Sequence, residues 1–395
     1  MFEFHPLKVA SIERVAADAA CVTLEIPTEL RDAYAFHAGQ YVTVRRRIAE
    51  REERRTYSIV SRPGNHRLKL GIRLQAGGRM SGHLGTQLRP GDMLDVGTPM
   101  GRFRTGISAE RRQFYVAFAA GSGITPILSL AAEVLAREPH SRFTLIYGNR
   151  SMSRTMFLED TLALKNRYIE RFAVHFVMSR EPQHTEWLNG RIDSRKITEL
   201  AQHMPEITSA DEYFICGPGD MVDAVRGAIK ALNGSAPIRF ERFATAAPRP
   251  ADSGEAPAAG MAGSPATAGS PATAGSPGAA DSLGVPGSSG AIMAAAAASQ
   301  ELLATISVVM DGRRRSFPMA TSDASVLEAA ERAGLELPFS CRSGICATCR
   351  AQITEGAATM AHNIALEPWE VEAGFVLCCQ ARPTTATLGI SYDHK

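Results

Sequence analysis

A chain of 395 residues with 45% apolar side chains can fill more than one hydrophobic core, so two or three domains are expected and a disordered chain is excluded. Its 43 basic and 41 acidic residues nearly cancel, which removes the positive field that nucleic acid or an anionic membrane would select. The N-terminal MFEFHPLK lacks a charged start followed by an apolar stretch, and no run reaches the roughly eighteen apolar residues of a membrane span, so a soluble, cytoplasmic protein is expected.

Residues 1–108 carry short alternating runs, at 21–26, 41–45 and 67–74, divided by Pro, Gly and Asn, and predict an antiparallel barrel or sandwich. Within them, the charges from Arg45 to Arg54 read as a solvated hairpin, and PMGRF at 99–103 as a turn closing the barrel without chemistry of its own. Over 109–243 the pattern changes to strand then helix: FYVAFAA, ILSLAAEVLARE with apolar residues at helical spacing, then FTLIYG. That alternation is the signature of an α/β domain with a parallel sheet. Residues 244–300 are dominated by Ala, Gly, Ser and Pro, contain no aromatic residue, and include the near repeat AGSPAT, AGSPAT, AGSP. Such a composition buries no core; it predicts a flexible tether with ends about 40 Å apart, in which AIMAAAAASQ is the one candidate short helix. Residues 301–395 follow with strands in ATISVVMDG and RRRSFPM, a helix SVLEAAERAG capped at Ser322 or Asp323, and a cysteine loop, a small α+β fold.

Of seven cysteines, five fall between Cys341 and Cys379, which is a cofactor pattern rather than a disulfide framework. CRSGICATC spaces Cys341, Cys346 and Cys349 as C-x4-C-x2-C, the plant-type ferredoxin spacing. Two sulfide-bridged ferric ions need four thiolates, and one tight loop supplies three only if its other residues are small, as Ser343, Gly344, Ala347 and Thr348 are. Cys378 and Cys379 are both candidates for the fourth, and in an extended segment their side chains point in opposite directions. A structural zinc site usually pairs two C-x2-C knuckles, and only one is present.

GSGITP at 121–126 follows a strand and opens a helix, where backbone amides can hold a pyrophosphate and Pro126 suits the first turn. The bland alternative is a purely structural turn. CGPGDM at 216–221 ends another strand and belongs at the same carboxyl edge of the sheet, where open α/β sheets bind ligands. Arg150, Ser151 and Arg154 in NRSMSR suit a 2′-phosphate and so favour NADPH, although surface arginines are commonly just solvated. In RTYS, Arg55 and Tyr57 share a strand face, one fit to neutralise a phosphate and the other to pack on a flavin ring, while Ser58 turns away. GGRMS at 77–81 adds a second phosphate cradle of glycine backbone and a serine hydroxyl.

Taken in order, RTYS, GGRMS, GSGITP, CGPGDM, the ERF ending at Phe243 and CRSGICATC resemble the ferredoxin–NADP reductase superfamily fused to a C-terminal plant-type ferredoxin. LIYGNR, GRID at Gly190 and AGFVLCCQ bring the chain near the reductase subgroup that serves bacterial phenylacetyl-CoA epoxidases. The likeness covers everything but the tether. It implies an antiparallel β-barrel flavin domain at 1–108, an α/β nucleotide-binding domain with a parallel sheet at 109–243, a linker at 244–300, and a β-grasp ferredoxin domain at 301–395. By the same resemblance, Arg55, Tyr57 and Ser58 hold FAD, with the backbone of Gly78, Arg79, Met80 and Ser81 at its phosphates. Gly121, Gly123 and Thr125 line the nicotinamide cofactor, Cys216 lies beside the nicotinamide ring, Glu241 sits near the hydride path, and Phe243 covers the flavin. Cys379 becomes the fourth cluster ligand, and Cys378 stands where the family has a small hydroxyl residue. A further departure is Ala38, where proline commonly precedes Gly39 and Gln40.

The implied function is an NADPH-dependent oxidoreductase: hydride arrives as an electron pair, FAD stands between, and a 2Fe–2S cluster takes single electrons for a diiron oxygenase, the phenylacetyl-CoA epoxidase of phenylacetate degradation. Another mono- or dioxygenase as acceptor, or a redox sensor, are the alternatives. The ferredoxin domain carries 8 basic against 11 acidic residues, so a basic docking patch is expected on the acceptor.

Overall fold

A computed structural model describes residues 3–243 and 301–393; the tether and its AIMAAAAASQ stretch lie outside the described residues. The alternating N-terminal runs form six strands, β1 (Phe4–Ala16), β2 (Ala19–Glu25), β3 (Tyr41–Ile48), β4 (Arg51–Ser58), β5 (Arg67–Arg73) and β6 (Met93–Gly97), with the short helix α1 (Arg79–Gly82) between the last two. They pair antiparallel in the order β4-β3-β6-β1-β2-β5. The Ile59–Leu70 bridge and a hydrogen bond from Val60 N to Lys69 O at 2.8 Å join the outer strands, closing the barrel. The β3–β4 hairpin turns at Ala49 and Glu50, whose φ of 47° and 64° are the left-handed pair of a type I′ turn. β2 is buried on both faces: Val22 and Leu24 enter the barrel core, while Ala19 and Cys21 pack into the core of the next module. Burial pushes the Cys21 thiol up to about 12, so it serves as an apolar filler.

The middle module alternates β7 (Phe114–Ala120), α2 (Ile124–Arg137), β8 (Arg142–Asn149), α3 (Leu158–Arg167), β9 (Phe172–Met178), α4 (Ser194–His203), β10 (Glu212–Pro218), α5 (Gly219–Leu232) and β11 (Ile238–Phe243). Its sheet is wholly parallel, ordered β11-β10-β7-β8-β9. Helices cover both faces, which is why β7 and β10 read as nearly unbroken apolar runs. Chain direction through the sheet reverses at β7, so the crevice beyond the ends of β7 and β10 is the topological switch point. There α2 approaches so closely that a Cβ on Gly123 would lie 2.0 Å from the Cys216 carbonyl oxygen.

The last module contains β12 (Leu302–Met310), β13 (Arg313–Ala320), α6 (Val326–Arg332), β14 (Arg350–Glu355), β15 (Ala358–Met360), α7 (Pro368–Glu372), β16 (Phe375–Leu377), β17 (Ala381–Pro383) and β18 (Thr387–Ser391). A mixed sheet ordered β13-β12-β18-β14-β16, with β15 and β17 as a separate ribbon, is the β-grasp arrangement expected. The α6 cap differs from expectation. Ser325 is the N-cap, accepting from Glu328 N at 3.3 Å, while Asp323 is drawn to Ala320 N at 2.7 Å and to the Arg332 guanidinium.

This module rests on the other two through charges. Glu336 meets Arg54 at 2.7 Å and Arg45 at 3.2 Å, Glu367 meets Arg226 at 2.8 Å, and Glu370 meets Arg102 at 2.7 Å. The Arg45–Arg54 hairpin is therefore not simply solvated: the Arg54 side chain is 5% exposed and lies over the rings of Phe4 and Phe339. PMGRF likewise does more than turn, because Arg102 is one of the docking cations. Glu336→Lys is expected to shift the docked-to-undocked ratio about tenfold, the equivalent of roughly 1.4 kcal/mol. Solution scattering at low salt should show a larger radius of gyration for the variant; an unchanged radius would contradict the ionic dock.

Candidate functional site

RTYS ends β4 at the barrel rim. Arg55 is exposed and donates to Arg54 O at 2.6 Å, and its other arm reaches Glu53 at 2.9 Å. Arg79 reaches the second oxygen of the same carboxylate at 3.4 Å. Glu53 is buried, so one fixed anion holds two guanidiniums side by side, a pair of cations suited to a diphosphate. Tyr57 is half-buried, with its phenol pushed above the ordinary range by burial, and Ser58 is buried. Ahead of α1, Ser81 Oγ accepts from Gln75 N at 3.2 Å and lies 3.3 Å from Gly78 O. A Cβ on Gly78 would stand 2.5 Å from that hydroxyl, filling the cradle. The Met80 side chain belongs to the barrel core, which leaves its backbone alone for a ligand. The donor set fits the phosphates of FAD.

At the switch point, Gly121 takes φ +56° and its carbonyl accepts from Tyr147 Oη at 2.9 Å. Thr125 Oγ1 donates to Ser122 O at 2.9 Å, closing the turn. No side-chain hydrogen bond caps α2, and the N–H of its first residue, Ile124, is held by the carbonyls of Gly121 and Ser122. Arg150 is exposed, with Ser151 next to it at the end of β8. Arg154 is turned elsewhere: it pairs with Asp18 of the barrel, which also binds Arg73. Arg73 in turn lies close to Gly121, its Nη2 3.7 Å from where a Cβ would be. Nothing in the sequence marked Arg73 or Asp18, since a charged residue on an alternating strand or in the turn between two strands looks solvated.

Parallel pairing of β10 with β11 sets Cys216 opposite Glu241 and Pro218 opposite Phe243. Cys216 is fully buried, and burial together with the Glu241 carboxyl pushes its thiol well above the usual range, so it stays neutral. Burial raises the Glu241 carboxyl to about 8. Phe243 packs on the core shared by barrel and α/β module.

In the cysteine loop, Arg342, Gly344 and Ala347 all have positive φ, of 54°, 74° and 53°. Gly344 is required there: a Cβ would also lie 2.7 Å from His362 O. The thiols associate two by two. A hydrogen bond with Cys346, together with the Ser343 and Ile345 amides, holds the Cys341 thiol below its ordinary range; a hydrogen bond with Cys349, together with the Gly344 amide, likewise lowers Cys379. Ser343 N stands 3.4 Å from Cys341 Sγ, and Gln380 Nε2 3.6 Å from Cys379 Sγ. Cys378 faces away. Its thiol is fully buried beside Tyr392 and pushed up to about 12 by that burial. Among the described residues no three His, Cys, Asp or Glu side chains gather as a single-ion site. Thiols paired two by two, with N–H groups aimed at sulfur, fit a two-iron centre in which each iron takes two cysteines.

Residues 6–105 match the family "Oxidoreductase FAD-binding domain", 118–227 the "Oxidoreductase NAD-binding domain", and 308–384 the "2Fe-2S iron-sulfur cluster binding domain". The chain is 34% identical over 396 residues to a subunit of the 1,2-phenylacetyl-CoA epoxidase of Escherichia coli K12, covering 100% of this chain and 99% of that one. It is 27% identical to the ferredoxin reductase component of 3-ketosteroid-9-alpha-monooxygenase from Rhodococcus rhodochrous, over 98% of this chain and 96% of that one. Phthalate dioxygenase reductase shares the fold, with a TM-score of 0.52, 20% identity and 98% of each chain covered. The chain is an oxidoreductase with FAD, nicotinamide and 2Fe–2S domains, and it belongs to the family of ferredoxin reductase-type electron-transfer components of oxygenases that includes this 1,2-phenylacetyl-CoA epoxidase component.

Proposed function

We propose that this chain oxidises NADPH and passes single electrons to the diiron oxygenase component of a phenylacetyl-CoA epoxidase. The observation that carries the reading is a pair of placements: Glu241 lies opposite Cys216 across β10 and β11, and Tyr41, laddered to the RTYS strand, contacts the cysteine loop. Hydride site, flavin site and cluster loop therefore adjoin within one compact unit. FAD, when bound, converts a hydride pair into single electrons, which a 2Fe–2S cluster accepts one at a time. Arg55 and Arg79, held by Glu53, and the Gly78–Ser81 backbone bind its phosphates; Tyr57, Ser58 and Phe243 position its ring. Gly121, Gly123 and Thr125 bind the nicotinamide cofactor, and Arg150 with Ser151 select its 2′-phosphate. Cys216 packs beside the reacting ring as a neutral thiol. Cys341 and Cys346 hold one iron, Cys349 and Cys379 the other. No helix among the described residues is long and apolar enough to cross a membrane, and we place the protein in the cytoplasm.

Three outcomes test these assignments. Reconstitution with oxygenase components should show product formation from phenylacetyl-CoA, driven by NADPH in preference to NADH, with Arg150→Ala erasing most of that preference; full activity with an unrelated oxygenase and none with the epoxidase would redirect the acceptor. Cys379→Ser should lose iron, acid-labile sulfide and the brown absorbance, whereas Cys378→Ser should keep all three; the reverse pattern would exchange the two roles. The Glu241 carboxyl is neutral below about pH 8, and a hydride brings an electron pair that a neighbouring carboxylate opposes. Hydride transfer, followed as flavin bleaching, is expected to fall as pH rises through about 8, and Glu241→Gln to flatten that limb.

A further inference from the structure

Tyr41 belongs to no sequence motif, yet it is where the barrel touches the cysteine loop. It opens β3 opposite Ser58 of β4, one residue from the Val42–Tyr57 pair, so its backbone is laddered to the strand that carries the proposed flavin contacts. Its ring is fixed from behind. Tyr41 and Met100 exchange backbone hydrogen bonds of 2.8 Å, and Gly101, at φ +114°, lies so close that a Cβ would stand 3.0 Å from the ring. The phenol points across the module boundary: Tyr41 Oη donates to Cys346 O at 3.3 Å and lies 3.2 Å from Thr348 Oγ1. Thr348 is 1% exposed, and its Oγ1 is 3.2 Å from Cys346 Sγ.

We propose that Tyr41 is the positioning residue for electron transfer from the flavin site to the cluster, holding the cluster loop in register on the barrel and, through Thr348, supplying one hydrogen bond to the Cys346 sulfur. This rests on the reading of Cys346 as a cluster ligand and of Tyr57 and Ser58 as flavin contacts. A cysteine sulfur bound to iron carries no proton, so the hydrogen in its contact with Thr348 must come from the threonine. The single phenol proton of Tyr41 is then shared between Cys346 O and the Thr348 oxygen, and phenol, hydroxyl and sulfur form a chain polarised one way. Each link strengthens the next. A hydrogen bond to a ligand sulfur favours the more negative, reduced cluster and raises its potential. In the step itself one electron leaves the reduced flavin and one ferric ion becomes ferrous; both hydroxyls keep their protons. Docked on the barrel, the cluster is the better electron acceptor. Once the module leaves Tyr41 the chain loses its first donor, and the same cluster becomes the stronger reductant for an external partner.

The test uses the full-length protein loaded with FAD and cluster, comparing the parent with Tyr41→Phe, which removes one oxygen atom. Transfer from flavin to cluster, followed by stopped-flow absorbance, should slow about tenfold, the equivalent of one net hydrogen bond. A redox titration followed by electron paramagnetic resonance should show the cluster midpoint potential shifted downward. Thr348→Val should lower the potential further, and Thr348→Ser should restore both readouts, which a merely structural role for the threonine would not predict. A transfer rate and potential in Tyr41→Phe equal to the parent's would overturn the proposal while leaving the ligand assignment intact. Parent protein without iron and sulfide would overturn both.

Discussion

The closed arrangement is organised around one buried cation. Arg54 is 5% exposed, lies 4.2 Å from the centroid of Phe339 and 5.0 Å from that of Phe4, and finds carboxylates in Glu52 of its own strand and Glu336 of the ferredoxin module. Burying a guanidinium costs desolvation that Coulomb attraction returns only when geometry is good. Here the geometry is incomplete: Arg54 Nη1 has no partner among the described residues. In contacts of this kind the favourable and unfavourable parts largely offset one another, and they specify where a module sits more than how tightly it is held. Because Glu336 is 60% exposed, dissolved salt reaches the pair easily.

The barrel and the α/β module are joined on another principle. Ala19, Cys21, Val60 and Phe103 of the first share one apolar core with Tyr115, Leu128 and Phe214 of the second. Separating them would expose that surface to water, so flavin and nicotinamide contacts sit on a common platform that has no reason to part. The ferredoxin module keeps a core of its own, and its contacts with the platform are ionic and polar. Hydride transfer tolerates little misplacement, and its two sites share the rigid seam.

Much of this was legible in the sequence because the chemistry constrains local spacing. C-x4-C-x2-C among small residues, a Gly-rich turn between strand and helix, and period-two strands each describe a backbone that few other sequences adopt. What escaped was long-range. Local spacing leaves Cys378 and Cys379 open and the resemblance alone selects Cys379; the packing of β16 and the loop after it sets that thiol beside Cys349 and the Cys378 thiol beside Tyr392. The charges of the β3–β4 hairpin looked solvated because a barrel edge taken alone would solvate them; the ferredoxin module covers Arg54 from a distance of 282 residues along the chain. PMGRF looked like an ordinary turn, yet Met100 and Gly101 hold Tyr41, and Arg102 engages Glu370. Arg154, one of three residues read together for a 2′-phosphate, is claimed by Asp18, a barrel residue that no local pattern could connect to it.

The carboxylates that hold the ferredoxin module in place also bear on how it addresses an acceptor. Glu336, Glu367 and Glu370 are engaged by Arg54, Arg226 and Arg102, so this acidic surface is already occupied by cations of the same chain. Trp369, 58% exposed on α7, lies between two of them in sequence and offers the kind of aromatic anchor that protein interfaces favour. An oxygenase with a basic patch for this surface must compete with the platform for it. On the proposed reading, electron uptake and electron delivery would be successive occupants of one face rather than simultaneous contacts on two. On that same reading a tighter ionic dock would shield the cluster from the acceptor, and a looser one would leave it too seldom beside Tyr41 to be reduced.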